Sequence, residues 1–95
     1  MRYQLRTYHI APGRLDEFLP VFEEALEIRR SVGFEVVGKW ADREGSMIVW
    51  IAGYDGPDSF EEASDRYQES PLRQQLDPDP RTFIDSIETR MLEGL

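Results

Sequence analysis

Residues 33–54 read GFEVVGKWADREGSMIVWIAGY, and this stretch decides the fold. Phe34 to Trp40 and Met47 to Tyr54 are rich in the β-branched and aromatic residues that strands favour. Between them, Asp42-Arg43-Glu44-Gly45 is turn chemistry. So short a connection leaves only an antiparallel hairpin.

Upstream, Leu15, Phe18, Leu19, Phe22 and Leu26 recur at helical spacing and share one face. Asp16 and Glu17 suit the positive end of that helix's dipole, Arg29 and Arg30 the negative end. Pro12-Gly13 punctuates the chain before the helix, and Gly33 stops it. Arg2 to Ile10 is a strand. Downstream, Gly56-Pro57 breaks the hairpin. Asp58-Ser59 with Glu61 and Glu62 forms a capping signature for a second helix carrying Phe60, Ala63 and Tyr67. Pro71 starts a short helical turn, Asp77-Pro78-Asp79-Pro80 is a stiff connector, and Phe83 to Leu92 is the last strand. The order β-α-β-β-α-β is the α+β, ferredoxin-like arrangement, with a four-stranded antiparallel sheet and two helices on one face.

The length of 95 residues fits one domain spanning 1–95, and 40% hydrophobic content is globular. So small a domain buries only roughly 60–65% of its unfolded surface, so a partner subunit would add stability. The absence of cysteine removes disulfides, iron–sulfur clusters, thiolate zinc sites and a cysteine nucleophile. A net charge of −8 argues against nucleic acid and anionic membranes as partners. No apolar stretch approaches the ~20 residues of a membrane span, and Met1 to Arg6 is unlike a signal peptide, so a cytoplasmic location is the default expectation.

Alternation sorts the strand side chains into two faces. Tyr3, Leu5, Thr7, Phe34, Val36, Met47, Val49, Ile51, Phe83, Ile87 and Met91 form a mostly apolar set, expected to pack on the helices. Arg6, Tyr8, Ile10, Val37, Lys39, Ile48, Trp50, Ala52, Tyr54, Ile84, Glu88 and Arg90 form a mixed set, too apolar for water and too charged for a core. The expectation is a semi-enclosed face covered by the sheet of a second subunit, a homodimer. Its lumen would be roomy enough for a small aromatic or acidic ligand.

On that face Arg6, Tyr8, Glu88 and Arg90 are expected to meet, because the first and last strands are neighbours in this fold. Two readings stay open. In one, the arginines hold a carboxylate or enolate while Tyr8 or Glu88 moves a proton. In the other, the four form an ion-pair network that fixes dimer register. Trp50 and Tyr54, with Trp40, are candidates for an aromatic wall, and Lys39 for ligand binding. His9, the only histidine, reads as a strand-end polar residue rather than a haem ligand or general base. No cofactor and no metal site are expected.

Several segments carry a family resemblance. They are Tyr3-Gln4-Leu5-Arg6-Thr7-Tyr8; Pro12-Gly13 with Leu15 and Phe18; Gly33-Phe34-Glu35-Val36-Val37-Gly38 with Trp40; and Ile48-Val49-Trp50-Ile51 with Tyr54-Asp55. Tyr67, Ser70-Pro71, Leu76-Asp77-Pro78-Asp79-Pro80 and Ile87-Glu88-Thr89-Arg90 with Leu92 complete the set. Together they resemble the NIPSNAP family over essentially the whole chain. The resemblance implies a ferredoxin-like subunit pairing as a dimeric α/β barrel, in a superfamily that includes cofactor-free antibiotic-biosynthesis monooxygenases and isomerases. It supplies no catalytic residue set. The leading expectation is a dimeric barrel binding a small molecule in its lumen, with cofactor-free monooxygenase or isomerase-type chemistry if it is an enzyme. The alternative is a non-enzymatic interaction or structural module with a packed lumen.

Overall fold

A computed structural model describes residues 1–95. In chain order it has β1 (Arg2–Ile10), α1 (Leu15–Ser31), β2 (Glu35–Asp42), β3 (Met47–Tyr54), α2 (Phe60–Glu69), α3 (Pro71–Gln74), a 3₁₀ turn (Pro80–Phe83) and β4 (Ile84–Leu92). The four strands are all antiparallel, in the order β2-β3-β1-β4. This is the ferredoxin-like arrangement expected from the sequence. The hairpin runs slightly further than its composition suggests, because Asp42 accepts the Gly45 N–H at 3.0 Å and stays in β2. Phe83 ends the 3₁₀ turn instead of opening β4.

The ends of the helices follow local chemistry. Ser59 caps α2 by accepting the Glu62 N–H at 3.0 Å. At the end of α1, Gly33 adopts φ +105°. The Gly33 N–H bonds to the Arg30 carbonyl (3.0 Å) and the Phe34 N–H to the Arg29 carbonyl (3.1 Å). These paired bonds make a Schellman turn, which needs a glycine at its left-handed position. The turn holds the last residues of α1 against the sheet and drops Phe34 into the core.

The two faces of the sheet are the reverse of the parity expectation. Tyr8, Ile10, Ile48, Trp50, Ala52 and Tyr54 lie buried beneath the helices. Tyr8 meets Phe18 and Phe22 edge-on, and Phe22 meets Trp50 the same way, with ring centroids 6.1–6.3 Å apart. Leu5, Thr7, Met47, Val49 and Ile51 face the other way and are only partly buried. Two irregularities caused the misreading. A register shift between His9 and Ile10 inverts β4 relative to β1, so Glu88 lies opposite Thr7 and Arg90 opposite Leu5. A second, between Val36 and Gly38, puts Val36 on the side of Ala52 against expectation, while Lys39 keeps its expected place beside Trp50 and Trp40 lies beside Val49. With Glu88 and Arg90 removed from it, the supposedly mixed face is an aromatic core. The rings of α1 need that aromatic bulk, which the aliphatic face cannot supply.

The open face now carries Tyr3, Leu5, Val49, Ile51, Leu92 and two large exposed side chains, Val37 (50% exposed) and Trp40 (58%). His9 Nε2 and Glu88 Oε1 lie 2.5 Å apart on the same face. An antiparallel sheet left to water ordinarily shows a polar face; here Thr7, His9, Glu88 and Arg90 are polar, but much of the rest of the face is apolar. No helix of the chain is long and apolar enough to cross a membrane.

Candidate functional site

A cavity of about 60 Å³ lies between the helices and the sheet. Its floor is Arg6 and Tyr8 of β1, Trp50 of β3, and Ile84 and Ile87 of β4. Its roof is Phe18, Phe22, Leu26 and Arg29 of α1 with Tyr67 of α2. Arg73, Pro80 and Arg81, from the segment joining α2 to β4, close one end. The space is therefore inside one subunit, under the helices, and not in a lumen between two sheets.

Three buried side-chain nitrogens lack a hydrogen-bond partner: Arg29 Nη1, Trp50 Nε1 and Arg73 Nε. All three belong to residues that line this cavity. Buried donors are ordinarily satisfied, and leaving one unpaired costs about 1–3 kcal/mol. Three at one place call for an acceptor. The lining itself supplies no carboxylate and no histidine.

Arg29 is the most unusual member. It is 4% exposed, yet it makes no ion pair; its guanidinium sits instead among rings, 4.1 Å from the centre of Tyr67, 5.2 Å from Trp50 and 5.5 Å from Phe34. Burial lowers its pKa, the Tyr8 and Tyr67 hydroxyls push it back up, and the Arg6 charge lowers it further. An arginine keeps its charge even so. The aromatic faces supply cation–π attraction but no counter-ion. The C-terminal turn of α1 fixes the position, since Arg29 is the residue whose carbonyl closes the Schellman turn.

The neighbouring polar groups are held in place. Arg6 Nε donates to Tyr8 Oη (3.0 Å) and Arg6 Nη1 to Gln4 Oε1 (2.8 Å). The Tyr8 hydroxyl proton thus remains free to donate. Burial pushes the Tyr67 phenol up in pKa, keeping it neutral despite the Arg29 and Arg73 charges beside it. Arg73 Nη2 donates to Asp79 at 3.1 Å. Asp79 is pushed up in pKa by burial, but the backbone N–H and guanidinium of Arg81, with Arg73, outweigh this and hold it below the usual range. The Asp77–Pro80 connector thereby shapes the cavity mouth. Donors dominate the polar lining: four arginines and the Trp50 indole, against two tyrosine hydroxyls and one amide, Gln68.

Of the residues singled out in the sequence, Arg6, Tyr8 and Trp50 come together here. Glu88 and Arg90 do not; they lie on the opposite face of the sheet, and the expected four-residue cluster is not formed. Lys39 reaches outward to Glu23 of α1. Tyr54 lies outside the cavity, donating to Asp58 and accepting from Arg66 at 2.9 Å. Trp40 and Trp50 are on opposite faces, so no shared aromatic wall exists. Arg29 and Arg73 were missed. The signal for Arg29 was its spacing, because it continues the stripe of Leu15, Phe18, Phe22 and Leu26 by three residues. A charge on an apolar stripe is the observation that dipole reasoning passes over.

With this geometry in view, the comparisons fall into place. The NIPSNAP family model matches residues 3–94. An uncharacterised NIPSNAP domain protein of Burkholderia xenovorans is 24% identical, with a TM-score of 0.84 over 100% of this chain and 95% of that one. A NIPSNAP family protein of Agrobacterium tumefaciens is 25% identical, with a TM-score of 0.85 over 99% of this chain and 92% of that one. An antibiotic biosynthesis monooxygenase shares the fold at 18% identity, with a TM-score of 0.71 over 100% of this chain and 99% of that one. No protein of curated function matches the chain.

Proposed function

The chain belongs to the NIPSNAP family, and from that premise we propose that it binds a small organic acid, with the anionic group seated against Arg29 under the helices. The observation that carries this reading is the convergence of three unpaired buried donors on one cavity that has no acidic side chain of its own. A carboxylate or enolate there accepts from Arg29, Trp50 and Arg73 and neutralises a buried charge. The apolar rings around it exclude water and strengthen each of those bonds. The size of the cavity limits what fits: an empty space of about 150 Å³ takes benzene, and this one is well below that. The aromatic surface is supplied by the protein.

Calorimetry and thermal unfolding in a buffer free of carboxylates test the reading. Acetate and pyruvate should stabilise the protein saturably, and acetamide, the neutral isostere, should not. Equal responses to acetate and acetamide refute it.

A second reading, cofactor-free proton transfer or oxygenation, is favoured by one contact. Arg6 donates to Tyr8 Oη at the cavity floor, which leaves the hydroxyl proton free to pass to a bound molecule. Tyr8 is then the proton carrier, and Glu88 has no part. Tyr8→Phe should abolish turnover of an enolisable acid while leaving acetate affinity within a few-fold; oxygen uptake or solvent-proton exchange reads the result.

We infer as well that a second copy covers the open sheet face, since Trp40, Val37, Ile51 and Leu92 otherwise meet water. Sedimentation at micromolar concentration should give twice the chain mass.

A further inference from the structure

We propose that Arg6 is a movable partition, and that the ligand is a two-part molecule whose acid head lies at Arg29 and whose tail runs past Arg6 into a groove between α2 and β4. This rests on the anion-binding reading above and goes on to name the architecture of the ligand.

Three observations converge. The first is volume. The cavity of about 60 Å³ admits a carboxylate with a carbon or two, which is little from which to recognise one metabolic acid among many. The second is adjacency. A groove of about 640 Å³ runs along the outside, and Arg6 lines both it and the cavity. Arg6 is the one residue the two share, and on this reading its side chain is the wall between them. It is hydrogen-bonded only to Gln4 and Tyr8, both on its own strand, and to no carboxylate, and its guanidinium lies 5.8 Å from the centre of the Trp50 ring on β3. Its two hydrogen bonds can be exchanged for bonds to a ligand without moving the backbone. The third is an uncovered strand. α2 does not reach the helix-side residues of β4, so Met91 is 53% exposed at the groove and Ile87 42% exposed at the cavity end. Apolar strand residues left bare beside a donor-lined cavity provide a floor for a ligand tail.

The groove also states what the tail is. Its α2 wall carries Glu61 and Asp65, with Ser59 and Ser64. Two exposed carboxylates disfavour a second acid and favour an amine or hydroxyl. The ligand class is therefore a monocarboxylic acid with an aliphatic chain ending in a basic or neutral polar group. A dicarboxylate is excluded by charge, and a bare aromatic acid by the cavity's size.

Titration calorimetry with acetate, hexanoate, 6-aminohexanoate and adipate is the test. 6-Aminohexanoate should bind at least tenfold more tightly than acetate, hexanoate by a smaller factor, and adipate no more tightly than acetate. The double variant Glu61→Lys with Asp65→Lys should invert the preference between 6-aminohexanoate and adipate. Both positions are exposed on α2, so folding is not at stake. Arg6→Ala should speed acetate dissociation tenfold or more in stopped flow, as the partition is lost. If acetate binds but chain length, tail charge and the double variant change nothing, the two-part ligand is refuted and the anion site stands. If no carboxylate binds, both fall together.

Discussion

Replacing Arg29 with methionine separates a structural arginine from a ligand-binding one. The side chain is removed from a site where it is 4% exposed and has no counter-ion. What is lost is cation–π attraction. The Tyr67 ring, 4.1 Å away, contributes about 1–2 kcal/mol, and the Trp50 and Phe34 rings, beyond 5 Å, about 0.5 kcal/mol each. What is gained is relief of an unpaired buried donor, about 1–3 kcal/mol, and of a desolvated charge, which adds more. Methionine fills nearly the same length with apolar atoms. These terms alone run from about 2 kcal/mol against the variant to about 1 kcal/mol in its favour, and relief of the desolvated charge, on the order of several kcal/mol, tips the sum to the variant. For a domain of 60–100 residues each kcal/mol moves Tm by about 4–8 °C. Thermal unfolding without ligand should therefore show Arg29→Met at least as stable as the parent. With acetate at a hundred times its Kd, the parent gains about 2.7 kcal/mol and the variant gains nothing. A ligand-free loss of 3 kcal/mol or more would mean that Arg29 holds the fold together. An undiminished acetate response would refute its role as the anion's partner.

Three further outcomes follow from the geometry. Burial raises the Tyr67 pKa in the folded protein, so its contribution is fully present below the unfolded value near 10 and fades as pH rises through the folded value. Tyr67→Phe should flatten the alkaline limb of a stability–pH curve, and an unchanged limb contradicts the assignment. Gly33→Ala places a side chain at φ +105° and 3.2 Å from Tyr54 Cε1. It should destabilise by about 1–3 kcal/mol in denaturant unfolding and weaken acetate binding as the Arg29 turn relaxes. Trp40→Glu, on the open face, should yield a folded monomer by sedimentation with acetate binding retained, because the cavity lies on the other side of the sheet; a dimer that persists excludes that face as the interface.

How much of this was legible in the sequence depended on range. Local signals gave the elements: the Asp42–Gly45 turn, the Ser59 cap, the Gly33 stop and the α1 stripe all lie where the chain's chemistry puts them. Pairing order followed from element order. The faces did not, because a bulge leaves no mark that composition can find. Val36-Val37-Gly38 reads as uninterrupted strand, yet one extra residue there puts Val36 on the side of Ala52, away from the face that alternation assigns, while Lys39 stays beside Trp50 as assigned. The same displacement in β4 dissolved the expected Arg6, Tyr8, Glu88 and Arg90 cluster. The part that survived, Arg6 with Tyr8 and Trp50, lies on β1 and β3, whose register is unbroken from Arg2 to His9. Arg73 carried no periodic signal, since it stands in a four-residue helix.

The site also marks where the chain departs from the rules that build the rest of it. Elsewhere its charges are exposed or paired: Lys39 with Glu23, Arg43 with Asp16, Arg66 with Asp58. In a protein of net charge −8, carboxylates are in ample supply. A buried Arg29 without one is therefore not a shortage of partners. A glutamate at a lining position such as Leu26 or Ile87 would neutralise it, but would also occupy the cavity and repel an incoming acid. Methionine would relieve the fold but could not bind. On the proposed reading the counter-ion arrives from outside, and the Schellman turn at Gly33 then does two things at once. It ends α1, and it holds the guanidinium at the one depth where rings shield it and an acid can still reach it.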